Sequence, residues 1–518
     1  MDISGLTGFY QIAAADPGRR ALVDTDGSVT TYGELLARVN QVSHGLRARG
    51  LSRGDVVAGV LPNGIDAVIM LLATGQIGLY HVPVNWHLTA AEIAYILGDC
   101  DARVVVHREP GGAPAATVRE ACEAAGIGPE ALYDGYAGLA AGQPATAPPD
   151  RSAGAVMWYT SGTTGFPKGV QRRLGDAPPE QVAAMGVRFA AAVCDLRSGD
   201  DVHLVTSPIY HSAPCAHVQL ALNLGHTLVI APRFDPEVIL DLVARHQVTN
   251  ALMVPTMFHR MLRLPESVRR RYDVSSLRQV VHTGAACPVA VKQAIMDWWG
   301  PVLYEYYGST EATIAFAAKP LEWLARPGTV GRPAPTFEVR ILDDDGAELP
   351  PGEPGLVYVR SPLTAFEYRK DPARTAAGMR GDWYAPGDIG YLDAEGYLFL
   401  CDRRTDLIVS GGVNIYPAEV EAALLEHPAV ADVAVIGEPD EEWGHRVVAL
   451  VQPAAGLTGG PALTTELLAH CAPRIARFKH PRVIVYRDEL PRTPTGKLSR
   501  RTVREDYLRD RTGLPGPT

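Results

Sequence analysis

The stretch Ala155-Val156-Met157-Trp158-Tyr159-Thr160-Ser161-Gly162-Thr163-Thr164-Gly165-Phe166-Pro167-Lys168-Gly169 decides the reading of this chain. Four apolar residues read as a buried strand, and the strand runs into a loop of glycines and hydroxyls that ends near a lysine. Glycines let a backbone approach a ligand closely, while hydroxyls and unencumbered N–H groups can surround phosphate oxygens. Lys168 adds a positive charge, so the expected guest is a polyphosphate. The loop ends in Pro167-Lys168-Gly169 rather than Gly-Lys-Ser/Thr, which departs from a Walker A loop and disfavours a switch-type nucleotidase. Taken alone, a Gly/Thr cluster is equally a polar turn.

Around this loop, runs rich in β-branched residues alternate with helical patterns: Asp55 to Leu61, Ala102 to His107, His203 to Thr206, Thr227 to Ile230 and Gln279 to Thr283. Such alternation predicts an α/β sheet protein. Thr31-Tyr32-Gly33-Glu34 is a capping-box pattern, followed by Leu35, Leu36, Val39, Val42, Leu46 and Arg49 on one helical stripe. From about Thr336 the pattern changes to short strands and turns, Glu338 to Leu342, Gly355 to Arg360 and Gly390 to Leu400, read as antiparallel hairpins. Alternating elements return after Asp402: a helix near Pro417 to Leu425, strands at Val430 to Gly437 and Val447 to Gln452, and a helix from Thr464. The expected fold class is α/β, with a large multi-sheet N-terminal domain over 1–404 and a small mobile α+β domain over 405–518. The Ala/Pro/Gly-rich stretch near 138–150 reads as a surface loop.

The 518 residues carry 48 Lys+Arg against 58 Asp+Glu, a net charge of −10 that argues against a dedicated nucleic-acid binder. The seven cysteines include no C-x-x-C pair, which fits reduced thiols and a cytoplasmic location better than a disulfide frame or zinc ribbon. No uninterrupted apolar run of about 18 residues occurs, so no membrane partner is expected.

Further ordered motifs accompany the loop: Tyr307-Gly308-Ser309-Thr310-Glu311, Gly387-Asp388, Asp402-Arg403-Arg404-Thr405-Asp406, Ser410-Gly411-Gly412 through Glu421, and Pro494-Thr495-Gly496-Lys497. With these motifs the sequence resembles the AMP-forming adenylate enzymes, which include acyl- and aryl-CoA ligases, adenylation domains of peptide synthetases, and luciferases. Its local wording is most like actinobacterial fatty-acyl-CoA synthetase-like proteins. The resemblance covers nearly the whole chain and implies that a carboxylate attacks the α-phosphate of ATP. Pyrophosphate leaves, and a thiol, here coenzyme A, then displaces AMP.

By the same resemblance Thr160, Ser161, Gly162, Thr163, Thr164 and Lys168 cradle the β- and γ-phosphates, and Glu311 lies near Mg²⁺. Tyr307 is implied against the adenine face with Gly308, Ser309 and Thr310 in its motif, and Gly284, Ala285 and Ala286 lie along the adenine edge. Asp388 would accept both ribose hydroxyl protons with Arg403 nearby. Lys497 would reach over the ATP to the developing phosphorane charge. A hinge near Thr405 would let the small domain rotate, bringing Gly411 and Gly412 along a pantetheine tunnel.

His211, in Pro208-Ile209-Tyr210-His211, is a candidate for orienting the carboxylate or closing the tunnel, with a satisfied core histidine as the plain alternative. Met253 to Phe258 and Ala312 to Phe316 are expected to supply the apolar wall. Thr313 and Ile314 stand where relatives can carry glycines, which would shorten the cavity toward a small or aromatic acid. Thr405 stands where many relatives have Asp or Lys, and Pro386 where Thr precedes Gly-Asp, so the thiol step is the less secure half of the reaction. The expected partners are a small-molecule acid and a small-molecule acceptor, with a monomer or homodimer. An ATP-dependent diazotase using nitrite and an aromatic amine, or an amide-forming enzyme, is the alternative.

Overall fold

The computed structural model describes residues 8–109, 111–160, 167–410, 413–440, 443–492 and 498–512. The largest sheet joins Arg20–Val23, Thr227–Ile230, Val202–Val205, Asn250–Met253, Gln279–His282 and Leu303–Ser309 as parallel neighbours in that order. These short β-branched strands are buried throughout, from Val202 to His282, because helices cover the sheet. The same sheet turns antiparallel at Thr313–Ala318 and continues through Thr329–Pro333, Leu398–Arg403, Asp388–Leu392 and Gly355–Arg360. Parallel crossovers thus give way to hairpins within one continuous hydrogen-bonded surface.

A second, all-parallel sheet runs Leu132–Asp134, Ala102–His107, Val56–Val60, Tyr80–Pro83 and Ala155–Val156. Helices Tyr32–Ala48 and Ile65–Gly75 fill the space between the two sheets. Thr31 closes the first of these with a complete capping box, and Leu35, Val39, Val42 and Leu46 are fully buried. Burying each such side chain contributes about 1.5–3 kcal/mol. Arg49 falls at the exposed C-cap rather than on the buried stripe.

The smaller C-terminal part pairs Val430–Asp440 with Gly444–Pro453 in an antiparallel ladder, and Val483–Tyr486 adds in parallel. Period-two alternation divides this sheet. Val433, Val435, Ala449 and Val451 pack against Pro417–Leu425 and Pro461–Cys471, while Ala434, Ile436, Val448 and Leu450 pack against Arg500–Thr512. The mixed α/β class with a large multi-sheet part and a small one is therefore as the sequence reading expected.

Three local expectations need correction. The 138–150 stretch is not wholly a surface loop, because Ala137–Ala140 is a helical turn that buries Leu139 against Gly45, where any Cβ would meet the Leu139 carbonyl. The helix expected from Thr464 starts at Pro461, since proline suits the first helical position and Leu463 is needed in the core. The two long C-terminal strands extend beyond the expected bounds, to Asp440 and back to Gly444, because their ladder continues in register to the turn. All seven cysteines are free thiols, and no helix among the described residues is long and apolar enough to cross a membrane.

Candidate active site

The strand Trp158–Thr160 and the strand Lys168–Gln171 form an antiparallel pair in which Thr160 faces Lys168. The glycine- and hydroxyl-rich loop is therefore held at both ends by one cross-strand pair. Tyr159 anchors the incoming strand by donating its hydroxyl to Asp99 at 2.5 Å. A third short strand, Glu367–Tyr368, pairs with Lys168–Gln171, and Arg369 beside it donates to the Asp99 carbonyl at 2.9 Å. Ser161, Gly162, Thr163 and Thr164 themselves lie outside the described residues, as do Gly411, Gly412 and Lys497.

Lys168 and Glu311 meet through a tyrosine. The Lys168 ammonium lies 4.8 Å over the Tyr368 ring, and the Tyr368 hydroxyl donates to Oε1 of Glu311 at 2.8 Å. Burial and the neighbouring Arg374 hold the Lys168 pKa below its ordinary value, with Glu311 opposing them. Tyr384 lines the same cleft, and burial together with the nearby Glu311 carboxylate pushes its phenol above its ordinary pKa. Arg172 fixes that turn from below, donating to the carbonyls of Thr310 at 3.1 Å and Glu311 at 2.8 Å. Glu311 is buried, yet among the described residues only its Oε1 is engaged.

The Tyr307 hydroxyl donates to Oδ2 of Asp388 at 2.5 Å, while Arg403 approaches Oδ1 at 3.2 Å from the register-opposed position on the next strand. Burial and the Asp388 carboxylate together push the Tyr307 phenol well above its ordinary pKa, so it stays a donor. Gly308 permits a tight approach: a Cβ there would lie 1.7 Å from the Thr313 carbonyl oxygen. The Ala312 N–H donates to Ser309, and Thr310 lies 3.4 Å from Ser212, hydroxyl to hydroxyl. Gly284, at φ +85°, and the exposed Ala285 and Ala286 follow Gln279–His282, at the carboxyl ends of the parallel strands where α/β sheets place ligands.

Lys168, Tyr368, Glu311, Tyr307, Asp388 and Arg403, with Gly284, Ala285 and Ala286, line one cleft of about 2930 Å³. Tyr210, His211, Ser212, His217, Thr313 and Ile314 line part of it. Burial lowers the His211 pKa to about 4, so the ring is neutral, and its Nε2 has no partner among the described residues. His211 is thus not a hydrogen-bonded core histidine on that side. The apolar wall differs from the expected one. Met253, Met257 and Phe258 pack into the core beside Trp299, while Ala312, Ala315 and Phe316 join another core cluster; only Val254, Pro255, Thr256, Thr313 and Ile314 of those segments reach the cleft. Met257 and Phe258 turn into the core from the helix Pro255–Leu262, and Ala315 and Phe316 are buried on the strand Thr313–Ala318.

The proposed hinge residue Thr405 is exposed, between the strand ending at Arg403 and the strand Ile408–Ser410. Arg500 lies beneath it, with Asp402, Asp406 and Glu421 all within 3.3 Å. Among the described residues no cluster of three His, Cys, Asp or Glu side chains could hold a metal by itself. A single carboxylate such as Glu311 can still suit Mg²⁺, which is commonly bound through one or two carboxylates plus substrate phosphates. Sequence reading missed Tyr368, Tyr384, Arg172 and His217. Tyr384 stands four residues before Asp388 and so offered a proximity signal; Tyr368, Arg172 and His217 sit in no motif.

The AMP-binding enzyme family matches residues 9–369, and its C-terminal domain family matches residues 419–497. The chain is 32% identical to an indoleacetate–CoA ligase of Aromatoleum aromaticum over 95% of its length and 96% of that protein. It is also 32% identical to a long-chain-fatty-acid–CoA ligase of Mycobacterium tuberculosis, over 96% of the chain and 97% of the relative. The crystal structure of an anthranilate CoA ligase in complex with anthranoyl-AMP superposes with a TM-score of 0.84 at 26% identity, covering 98% of both chains. Matched along both parts by the family and along nearly its full length by acid–CoA ligases, the chain belongs to the AMP-binding enzymes and is an AMP-forming ligase of the acid–CoA type.

Proposed function

We propose that the protein activates an aromatic carboxylic acid as its acyl-adenylate and passes the acyl group to coenzyme A. The observation that carries this reading is the pairing, in one cleft, of the Tyr307–Asp388–Arg403 cluster with the Lys168–Tyr368–Glu311 cluster. Asp388 accepts one hydrogen bond on Oδ2 and an ion pair on Oδ1, which leaves lone pairs for a vicinal diol. Tyr307, Gly308, Ser309 and Thr310, with Gly284, Ala285 and Ala286, would then bracket the base.

Thr160, Ser161, Gly162, Thr163, Thr164 and Lys168 would hold the β- and γ-phosphates. The unengaged oxygen of buried Glu311 suits Mg²⁺, which when bound would neutralise charge on the departing pyrophosphate. In the first step an oxygen of the acid carboxylate bonds to the α-phosphorus as the bond to pyrophosphate breaks, with Lys497 as the cation for the extra charge on phosphorus. His211, neutral and with Nε2 unpartnered among the described residues, would position the carboxylate. In the second step the thiolate of coenzyme A bonds to the acyl carbon and AMP leaves.

We place the boundary between the alternating parts at 404/405, with Gly411 and Gly412 beside the pantetheine in the second pose. Thr313 and Ile314 line the cleft, and side chains there in place of glycines support an aromatic rather than a long alkyl acid. Cytoplasmic residence is consistent with seven free thiols. The test is product analysis after turnover of ATP and coenzyme A with a panel of aryl and alkyl acids. AMP, pyrophosphate and an aryl-CoA thioester are expected. Formation of ADP and phosphate alone would overturn the reading, and AMP release that requires an amine and yields no thioester would replace the acceptor.

A further inference from the structure

The helix Pro255–Leu262 has two faces with different partners. Met257, Phe258 and Met261 are buried in the core, while His259 and Arg263, one turn apart, reach the small C-terminal part. Arg263 donates to the carbonyl of Val430 at 2.8 Å, and Nε2 of His259 donates to the carbonyl of Ala431 at 3.1 Å. A carbonyl can only accept, so Nε2 carries the proton. Burial and the neighbouring Arg263 hold the His259 pKa below its ordinary value, so the ring donates as a neutral imidazole.

Two consecutive carbonyls are open to one helix because the strand is irregular at this point. Val430–Asp440 is the edge strand of its sheet and is paired on one side only. Its register skips Ala431, since Val430 faces Pro453 and Asp432 faces Gln452. A regular strand offers every second carbonyl to a given edge, whereas the extra residue of a bulge lets two in succession face the same neighbour.

The contact continues toward the end of the chain. Asp432, next in the strand, takes a fork of hydrogen bonds from Arg492, Nε to Oδ2 at 2.9 Å and one terminal nitrogen to both oxygens at 2.6 Å. Arg492 pairs with Leu498 in an antiparallel bridge, so these two residues bracket 493–497, which lie outside the described residues and include Lys497. His259, Arg263, Asp432, Arg492 and Leu498 all line the cleft.

We infer that His259 and Arg263 are positioning residues for adenylation: by holding the carbonyls of Val430 and Ala431 they set, through Asp432 and Arg492, where the two ends of the Lys497 segment stand against the cleft. The inference rests on the proposed two-step reaction, in which Lys497 serves the first step and the small part turns away for the second. The two hydrogen bonds from the helix break in that turn, so this pair of side chains favours the first half-reaction over the second. Neither residue touches the reacting atoms.

The experiment reads the two half-reactions separately on the full-length enzyme: pyrophosphate exchange with an aryl acid for the first, and thioester formation from a supplied aryl-adenylate and coenzyme A for the second. Arg263→Met and His259→Leu should each slow exchange by about 10-fold at saturating ATP, the usual weight of one such hydrogen bond. The KM for ATP should stay unchanged, because both side chains bond to backbone of the small part rather than to the Tyr307–Asp388–Arg403 cluster. Thioester formation from the adenylate should match the wild-type rate or exceed it, a split that a merely structural role would not produce. Arg263→Lys and His259→Gln each keep a donor and should retain most of the exchange rate. Combining Arg263→Met with Arg492→Met should cost little more than either alone, because both lie on one path. Should a truncation on the helix fail to fold, Asp432→Asn tests the same path from the small part and should show the same selective loss. Equal losses in both half-reactions, exchange at the wild-type rate, or a fully additive double variant would overturn the inference while leaving adenylation and thioester formation intact. A wild-type enzyme that exchanges pyrophosphate and forms no thioester would overturn the coenzyme A reading and this inference with it, and absence of exchange with every acid would overturn adenylation itself.

Discussion

Tyr307 and Asp388 lie 81 residues apart in sequence and share a 2.5 Å hydrogen bond at the heart of the cleft. The bond ties the last strand of the parallel half of the sheet to the hairpin half, since Tyr307 sits on Leu303–Ser309 and Asp388 opens Asp388–Leu392. With Arg403 on the other carboxylate oxygen, Asp388 is oriented before any nucleotide arrives. If Asp388 is the ribose acceptor we propose, holding it by two elements lowers the ordering entropy of binding.

Asp388→Asn should therefore weaken ATP binding while sparing the fold. The amide oxygen can still accept from Tyr307, but the charge that pairs with Arg403 and a ribose hydroxyl is lost. Hydrogen bonds to a charged group are worth about 1.5–3 kcal/mol, which corresponds to a loss of about 10-fold to 10²-fold in affinity. Calorimetry with a non-hydrolysable ATP analogue reads this directly, and an unchanged dissociation constant would remove Asp388 from the ribose site.

Tyr368→Phe tests whether Glu311 is positioned through its neighbour. The ring that carries Lys168 stays, while Oε1 of Glu311 loses its donor. Groups that orient a metal-ligating carboxylate typically change metal affinity by about 10-fold to 10²-fold. The expected result is a higher Mg²⁺ requirement for pyrophosphate exchange, with near-normal rates restored at saturating Mg²⁺. A uniform loss at every Mg²⁺ concentration would indicate a different role for Tyr368.

The parts of this fold that are legible in sequence are those encoded locally. The Thr31–Glu34 capping box, the buried strand runs and the alternation on Val430–Asp440 each follow from spacing within a few residues. The site was legible where motifs are contiguous, as at Tyr307 to Glu311 and at Asp388. Tyr368 and Arg172 escaped because their importance arises from strand pairing: Tyr368 faces Val170 across a sheet, and Arg172 reaches carbonyls 138 and 139 residues away. The pocket wall was misassigned because the helix Pro255–Leu262 turns Met257 and Phe258 into the core while Thr256 reaches the cleft.

Thr313→Gly should widen the range of acids accepted. Thr313 holds φ +60°, a left-handed conformation that costs a β-branched residue about 1–2 kcal/mol, and its hydroxyl is buried without a partner among the described residues. Glycine relieves the strain and opens the cleft that Thr313 lines. The expected outcome is an unchanged or higher thermal midpoint together with a gain of about 10-fold in kcat/KM for longer acids relative to the wild-type enzyme. A lower midpoint with no change in acid range would show that Thr313 packs against the core instead.

The buried histidines set the acid limit of stability. Burial lowers His81 and His217 to about 4 and His203 to about 3, against about 6.5 for an exposed histidine. Above about pH 6.5 both folded and unfolded chains hold these rings neutral, and their contribution to stability is fully present. Below that the unfolded chain takes up protons that the folded chain refuses, so stability falls with falling pH until the folded values near 4 and 3 are reached. Each ring supplies a slope of about 1.4 kcal/mol per pH unit in that window. Scanning fluorimetry should show a flat midpoint from pH 8 to 7 and a steep decline from 6.5 toward 5; a midpoint that stays level to pH 5 would place these rings in contact with water.

Arg500, at the start of the helix Arg500–Thr512, pairs with both sides of the proposed hinge near Thr405. It reaches Glu421 at 2.5 Å, Asp406 at 3.1 Å and Asp402 at 3.3 Å, and the Asp402 side chain is only 3% exposed. Asp402 in turn accepts from the Ala418 N–H at 2.8 Å, and Glu421 from the Val435 N–H at 2.8 Å. Burial raises the pKa of Asp402 and Arg500 works against it, so removing the guanidinium leaves three crowded carboxylates with no cation among them. Breaking one side of a largely buried ion cluster costs about 3 kcal/mol or more, and here the cost falls on the proposed hinge. Arg500→Met should loosen that hinge, with faster proteolysis between 402 and 410 and pyrophosphate exchange reduced by about 10-fold or more, while ATP affinity changes little because Arg500 touches neither the Asp388 nor the Glu311 cluster. Lowering the pH toward 5 should partly rescue the variant, since protonating Asp402 removes one of the three repelling charges. A variant that resists protease and exchanges pyrophosphate at the wild-type rate would show that the hinge is held by other contacts.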